Sequence, residues 1–297
     1  MPKVLPHEYL FNAFLLSVAL RVSAVAGPLN RHAATFFAYT LIGVLLIPWS
    51  QRNPTTRRWR TRLLWYPCVM GAAFFTLNHA IWLLGIPDAD PMLTQLDNTL
   101  LGAPATHYFG PLESAWLTEL MVAAYLFFFY YLVSGPFYYW RHDLINFRKC
   151  IVGLFTLYAL GFTGYTVFPA GGPQIDPSLA PLHGGWLARF FLPVIKAGSN
   201  QIDVFPSIHG AASLYVLVFD FWHYRKRFWI LLVPTAALWV STVYLRYHYV
   251  VDLLAGGVIT VISLAVAWRY ERSRLAAELD RELIAASSAG LPPVIGN

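Results

Sequence analysis

The stretch Val250-Val251-Asp252-Leu253-Leu254-Ala255-Gly256-Gly257-Val258-Ile259-Thr260-Val261-Ile262-Ser263-Leu264-Ala265-Val266-Ala267-Trp268 carries one charged residue, Asp252. An α-helix rises about 1.5 Å per residue, so such a run is about 28 Å long and matches the hydrocarbon core of a bilayer. Seven more stretches of this kind lie upstream: Tyr9–Ala26, Ala34–Trp49, Leu63–Ile86, Ser114–Val133, Cys150–Phe168, Ser207–Trp222 and Trp229–Leu245. They predict an all-α polytopic membrane helix bundle with about eight transmembrane helices. In the first, Ala24-Val25-Ala26 has the small-residue pattern of a signal-peptide cleavage site. Arg21 splits that run and Glu8 precedes it, which predicts a retained helix instead.

Composition agrees. Of the 297 residues, 57% are hydrophobic and 12% charged, with a mean hydropathy of +0.51. A soluble domain carries about 25% charged residues, so half that amount cannot coat a soluble enzyme of this size. The same figures exclude disorder. Cys68 and Cys150 make neither a disulfide framework nor a metal-spacing pattern.

A net charge of +6 would suggest nucleic acid in a soluble chain. Here the cations sort by side. With a cytoplasmic N-terminus and eight spans, sixteen of the 21 Lys and Arg fall inside: Lys3, the basic loop from Arg52 to Arg62, the loop from Arg141 to Lys149, Arg225–Arg227 and the tail from Arg269. Outside stand Arg31, Arg189 and Lys196. This asymmetry predicts cytoplasmic termini and no nucleic-acid partner. Short loops point to a bacterial inner membrane. Three regions follow: an N-terminal helix pair with its basic loop (1–62), a core (63–268) and a solvated cytoplasmic tail helix (269–297).

Two outer segments exceed simple turns. Pro87–Glu113 contains Met92–Leu101, apolar at helical spacing, which predicts a short interfacial helix. Pro169–Pro206 is rich in Gly and Pro. Asp88 and Asp90 read as solvated loop carboxylates, and Asp220 as an interface charge. Glu119 lies within a span and is functional by default; pairing with Arg21 or His79 and contact with a lipid headgroup both stay open. Gly161, Gly164 and Ala255-Gly256-Gly257 read as small residues that let helices pack closely.

The chemistry gathers at two histidines. His209 lies in Phe205-Pro206-Ser207-Ile208-His209-Gly210, and His248 in Tyr247-His248-Tyr249-Val250-Val251-Asp252. The 39 residues between them suit two spans of about 18 residues and a turn, so both should stand at the same end of the bundle. His248 and Asp252 are four apart on one helical face. A carboxylate there accepts the Nδ1–H and leaves Nε2 as a lone pair for attack. Pro206 and Ser207 open the following helix as a first-turn proline and a capping serine would, with unpaired N–H groups that attract anions. A nucleophile, a proton donor and an anion cradle are the parts for phosphoryl transfer with no metal and no cofactor.

Phe-Pro-Ser-x-His followed by His-x-x-x-Asp at the next hairpin return resembles the type 2 phosphatidic acid phosphatase superfamily. The resemblance implies a six-helix membrane core in the last six stretches. It also implies that His248 forms a phosphohistidine, that Asp252 orients it, that His209 protonates the leaving oxygen and that Ser207 binds phosphate. The superfamily's first motif, a lysine followed seven residues on by Arg-Pro, is absent, and the usual Ser-Arg of the third motif reads Ser241-Thr242. These departures resemble the inositol phosphorylceramide synthase branch, whose third motif also runs Ser-Thr-x-Tyr-Leu. Phe168-Pro169-Ala170-Gly171-Gly172-Pro173 is similar to a Phe-Pro segment of that branch. The similarity runs from about Asp97 to Gly257. Without the family's cations the phosphate needs positive charge, and Arg246 is the first candidate, with Lys196 and Arg189 behind it.

The expected reaction takes a phospholipid donor. With a lipid alcohol as acceptor the protein is an inositolphosphotransferase; with water it is a lipid phosphate phosphatase. A transporter or a non-catalytic lipid-binding protein is the competing class, but transporters often carry inverted repeats and midplane polar sites, whereas here no repeat is visible and the polar cluster lies at one end.

Overall fold

The computed structural model describes residues 3–199 and 201–288. Among them are twelve α-helices and no strand: α1 (Pro6–Ala26), α2 (Arg31–Arg52), α3 (Thr56–Leu84), α4 (Asp90–Leu101), α5 (Ala105–Phe109), α6 (Ala115–His142), α7 (Leu144–Val167), α8 (Trp186–Gly198), α9 (Ile208–His223), α10 (Arg225–Tyr244), α11 (Val250–Glu271) and α12 (Arg274–Ser288). Seven described helices, α1, α2, α3, α6, α7, α10 and α11, are long and apolar enough to cross a membrane. The eighth expected stretch folds as α9, with 16 residues. At about 1.5 Å per residue it is some 24 Å long, short of a full bilayer core. Ten of its residues are buried, so protein rather than lipid covers most of it. By contrast α2 exposes Leu41, Ile42, Val44 and Leu45, as a lipid-facing helix does.

The chain forms two compact units. The first comprises Met1–Gly85, Ser134–Leu160 and Ile262–Asn297. Its polar centre joins α1 to α3. Arg62 donates from Nε to Glu8 Oε1 at 2.6 Å and from a terminal nitrogen to Oε2 at 2.5 Å. The same guanidinium reaches Ser50 Oγ at 3.2 Å and the Lys3 carbonyl at 2.7 Å. Arg62 is 1% exposed and Glu8 1%, so every donor needs its acceptor. Arg148 is likewise buried and bonds Asp280 of α12. From sequence both arginines count only among the cytoplasmic loop cations; in the fold they are buried and structural. The tail, expected as a solvated helix, instead buries Ala276, Leu279 and Leu283 of α12 and turns Asp280 toward Arg148.

The second unit comprises Ile86–Val133 and Gly161–Val261 and holds both histidine motifs. The expected interfacial helix is present as α4, beginning two residues earlier than its apolar core. Asp90 is not a solvated loop residue. It is 7% exposed and accepts the amides of Gly171 and Gly172 at 2.6 and 2.9 Å and the Tyr249 hydroxyl at 3.0 Å. Asp220 is also buried, held by Arg227 and by Tyr131 at 3.2 Å. Glu119 accepts the amides of Leu187 and Ala188 at 2.9 and 2.7 Å, satisfying the first N–H groups of α8 from outside that helix.

Candidate active site

Three short pieces of chain build the site, and each is held for an identifiable reason. The first is the start of α9. Ser207 is its N-cap, its Oγ accepting the Gly210 amide at 3.2 Å. The Ser207 amide donates to the Asp252 carbonyl at 3.0 Å, tying the start of α9 to the first turn of α11. That approach depends on Gly256: a Cβ there would stand 2.7 Å from the Ser207 carbonyl oxygen. On another side, a Cβ on Gly164 of α7 would stand 2.3 Å from Pro206 Cδ. Both glycines read from sequence as close-packing positions do that job here.

The second piece is the turn after α10. Tyr247 N–H bonds the Thr242 carbonyl and Arg246 N–H the Val243 carbonyl, at 2.9 and 3.0 Å. These are the paired bonds of a Schellman termination, with the left-handed position at Arg246, φ +65°. Glycine usually occupies that position, because a side chain there costs roughly 1–2 kcal/mol. The turn delivers His248, whose amide also bonds Thr242 O at 3.1 Å. The third piece is the first turn of α11, where Asp252 Oδ2 accepts the Tyr249 amide at 2.8 Å.

The result is a continuous polar chain. His248 Nδ1 lies 3.3 Å from Asp252 Oδ2. His248 Nε2 lies 3.0 Å from His209 Nδ1. His209 Nε2 lies 3.0 Å from the Tyr125 hydroxyl of α6. An ionised carboxylate only accepts, so with Asp252 ionised the proton of His248 sits on Nδ1 and Nε2 holds a lone pair. The proton between the two rings then belongs to His209 Nδ1. His248 is 2% exposed and Asp252 fully buried. Around His209 pack the Phe128 and Tyr125 rings, with centroids at 4.5 and 5.1 Å. Asp203, in the segment leading into α9, accepts from Ser199 Oγ at 2.9 Å. Burial pushes its carboxyl above the usual range, against the opposing pull of Ser199 and His248.

Of the five residues singled out from sequence, the structure joins His209, His248 and Asp252 through side chains. Ser207 touches Asp252 through its backbone, and its own hydroxyl oxygen accepts from the α9 N-terminus. Arg246 adjoins by sequence, but its guanidinium reaches the Glu113 carboxylate and, at 2.6 Å, the Ala180 carbonyl. Sequence reasoning missed Tyr125, Asp97 and Asp203. In Tyr125-Leu126-Phe127-Phe128-Phe129-Tyr130-Tyr131 nothing distinguishes one tyrosine from the others. Asp97 sat in a segment read only for its apolar periodicity.

The model of the PAP2 superfamily matches residues 92–266, from α4 into α11, with both histidines and Asp252 inside. The chain belongs to the PAP2 superfamily. PAP2 members are lipid phosphatases and phosphotransferases. It is similar to the inositol phosphorylceramide synthase of Candida albicans, 26% identical over 34% of this chain and 25% of that protein. It is also similar to the inositol phosphorylceramide synthase catalytic subunit AUR1 of Saccharomyces cerevisiae, 29% identical over 32% of this chain and 28% of that protein. The matched segment thus spans about a quarter of the length of these curated relatives. No solved structure matches the chain. The expected superfamily is met, and the distant similarity falls to proteins of the expected branch.

Proposed function

We propose that this PAP2 protein is a membrane-embedded phosphotransferase that moves a phospho-headgroup, inositol phosphate in the first instance, from a phospholipid to a lipid alcohol. The observation that carries the proposal is the 3.0 Å approach of His209 Nδ1 to His248 Nε2, with Asp252 behind the second ring. Two imidazoles with unlike partners divide into a nucleophile and an acid. His248, backed by a carboxylate, attacks phosphorus through Nε2. The bond from phosphorus to the glyceride oxygen breaks, and imidazolium His209 gives its Nδ1 proton to that oxygen. The phosphohistidine is then attacked by the acceptor hydroxyl, whose proton returns to His209. Ser207 and Arg246 are the proposed phosphate contacts, and the steps need no metal.

The choice of a lipid alcohol over water rests on the similarity to two proteins named inositol phosphorylceramide synthase. The asymmetry of Lys and Arg supports placing the site at the outer face of a bacterial inner membrane with both termini cytoplasmic, α9 counting as a crossing. Residues 63–268 are then the catalytic core, flanked by 1–62 and 269–297.

The test is direct. Purified protein in phospholipid micelles is given labelled phosphatidylinositol, with and without ceramide or diacylglycerol. A labelled new lipid that appears only with the alcohol is the expected product. Water-soluble inositol phosphate, formed without it, would make the protein a hydrolase. Acid-labile label on the wild-type protein and none on His248→Ala is expected; unchanged turnover in that variant would overturn the mechanism.

A further inference from the structure

The two catalytic imidazoles have different partners. His248 leans on a carboxylate, whereas His209 Nε2 faces a neutral phenol, Tyr125 Oη, at 3.0 Å. Tyr125 is 4% exposed, and its ring packs against Tyr247 at 4.9 Å between centroids as well as against His209. The hydroxyl therefore does not swing in solvent; it is aimed at one nitrogen.

This inference rests on the roles proposed above for His209 and His248. We infer that Tyr125 is the positioning residue of the acid: its oxygen accepts the Nε2–H of His209, so that Nδ1 alone gains and loses the transferred proton. In the first half-reaction the His248 Nε2–P bond forms and the P–O bond breaks with its electron pair going to oxygen. That oxygen takes the Nδ1 proton of imidazolium His209. Neutral His209 keeps its second proton on Nε2, bonded to Tyr125, and turns a bare Nδ1 toward the phosphohistidine. In the second half-reaction the acceptor hydroxyl bonds to phosphorus as the N–P bond breaks, and its proton goes to Nδ1.

Without the phenol the neutral ring is free to put its one proton on Nδ1, and that tautomer cannot act as the base. A carboxylate in the same place would favour the cation strongly and hold back the proton. A neutral hydroxyl oxygen accepts the Nε2–H in the cation and in the neutral ring alike. This difference in partners also explains why the nearly symmetric pair does not exchange roles.

The test uses the full-length protein in phospholipid micelles and two donors with the same headgroup: phosphatidylinositol, whose leaving glyceride alkoxide needs a proton, and a nitrophenyl ester of inositol phosphate, whose leaving group does not. Tyr125→Phe keeps the ring and removes the oxygen. Expected is a fall in kcat of about 10- to 100-fold on phosphatidylinositol with little change in KM, within the range of acid–base catalysis. Formation of the phosphohistidine from the nitrophenyl donor falls by less than about threefold, since that step is the less dependent on an acid. Loss of the hydrogen bond to the cation also moves the high-pH fall of kcat/KM to lower pH. Fluorotyrosine at position 125, which keeps the hydroxyl as a weaker acceptor, moves that limb a shorter way in the same direction and decides the matter should the Phe variant not fold.

An equal loss on both donors, or a pH limb unmoved by either change, overturns the role of Tyr125. His209→Ala and His248→Ala are run alongside. If they turn over normally, the reading beneath fails; if they are dead while Tyr125→Phe behaves as wild type, only this inference fails.

Discussion

The Asp97 carboxylate of α4 accepts the Val251 amide at 3.0 Å, 154 residues further along the chain. The helix it reaches, α11, begins at Val250 and carries Asp252 in its first turn. Asp97 is 2% exposed, and burial pushes its carboxyl up while the amides it accepts hold it down. Together with Asp252, which accepts the Tyr249 amide, it satisfies N–H groups that a helix start leaves unpaired. A second carboxylate of the same helix, Asp90, fixes Tyr249 and the Gly171-Gly172 turn. A short helix read from sequence only as interfacial thus sets the position of His248.

Asp97→Ala should destabilise the protein by about 1–3 kcal/mol, the cost of leaving a buried amide unsatisfied. Asp97→Asn retains an acceptor oxygen and should cost less than half as much. Thermal unfolding in detergent reads the difference, and a larger effect of Asn than of Ala would contradict this account.

Asp252→Asn leaves an oxygen for the Tyr249 amide but offers His248 either a donor or a weaker acceptor. Turnover should fall by roughly three to four orders of magnitude, as for a misdirected imidazole in a catalytic triad. Steady-state kinetics should place the loss in kcat, with stability little altered.

At Arg246 the backbone and the side chain have opposed preferences, so two substitutions separate them. Arg246→Gly suits the left-handed turn and should hold or raise the melting temperature. Arg246→Ala should be less stable than the Gly variant by about 1 kcal/mol. If the guanidinium meets phosphate, both lose about 10²- to 10³-fold in turnover, the effect of removing one oxyanion donor. Near-normal activity in the Gly variant would leave Arg246 its bonds to Glu113 and the Ala180 carbonyl.

In the first unit, Glu8→Gln strands the buried Arg62 cation and should cost about 3–5 kcal/mol. The double variant Glu8→Leu with Arg62→Met removes both charges and should be more stable than either single variant. A double-mutant cycle by thermal or denaturant unfolding checks this, and additive losses would count against the ion pair as a coupled unit.

Much of this was legible in the sequence. Apolar length placed the spans, and hairpin length brought the two histidines to one end, because both follow from the rise of a helix and the thickness of a bilayer. Small residues at Gly164 and Gly256 announced close approach. Charges were the weak point. Arg62 and Arg148 read as loop cations, Asp90 as solvated and Asp220 as interfacial because, taken singly, an ionisable residue near the end of a span belongs there. Arg227 stands seven residues from Asp220, but the partners of the other three lie far away in sequence, so no local pattern marks those as buried and bonded.

By itself the sequence determined the helical membrane architecture, the superfamily and the His209–His248–Asp252 constellation, since each depends on composition or on short fixed spacings. Only the tertiary structure decided what stands behind that constellation. It selected Tyr125 from a run of aromatics as the partner of His209, Asp97 and Asp90 as the anchors of the His248 turn, and Glu113 as the partner of Arg246. The physical reason is that a hydrogen bond between distant elements is set by where helices cross and which way each face turns. Those are properties of packing, and residues in one apolar stretch carry no separate mark of them.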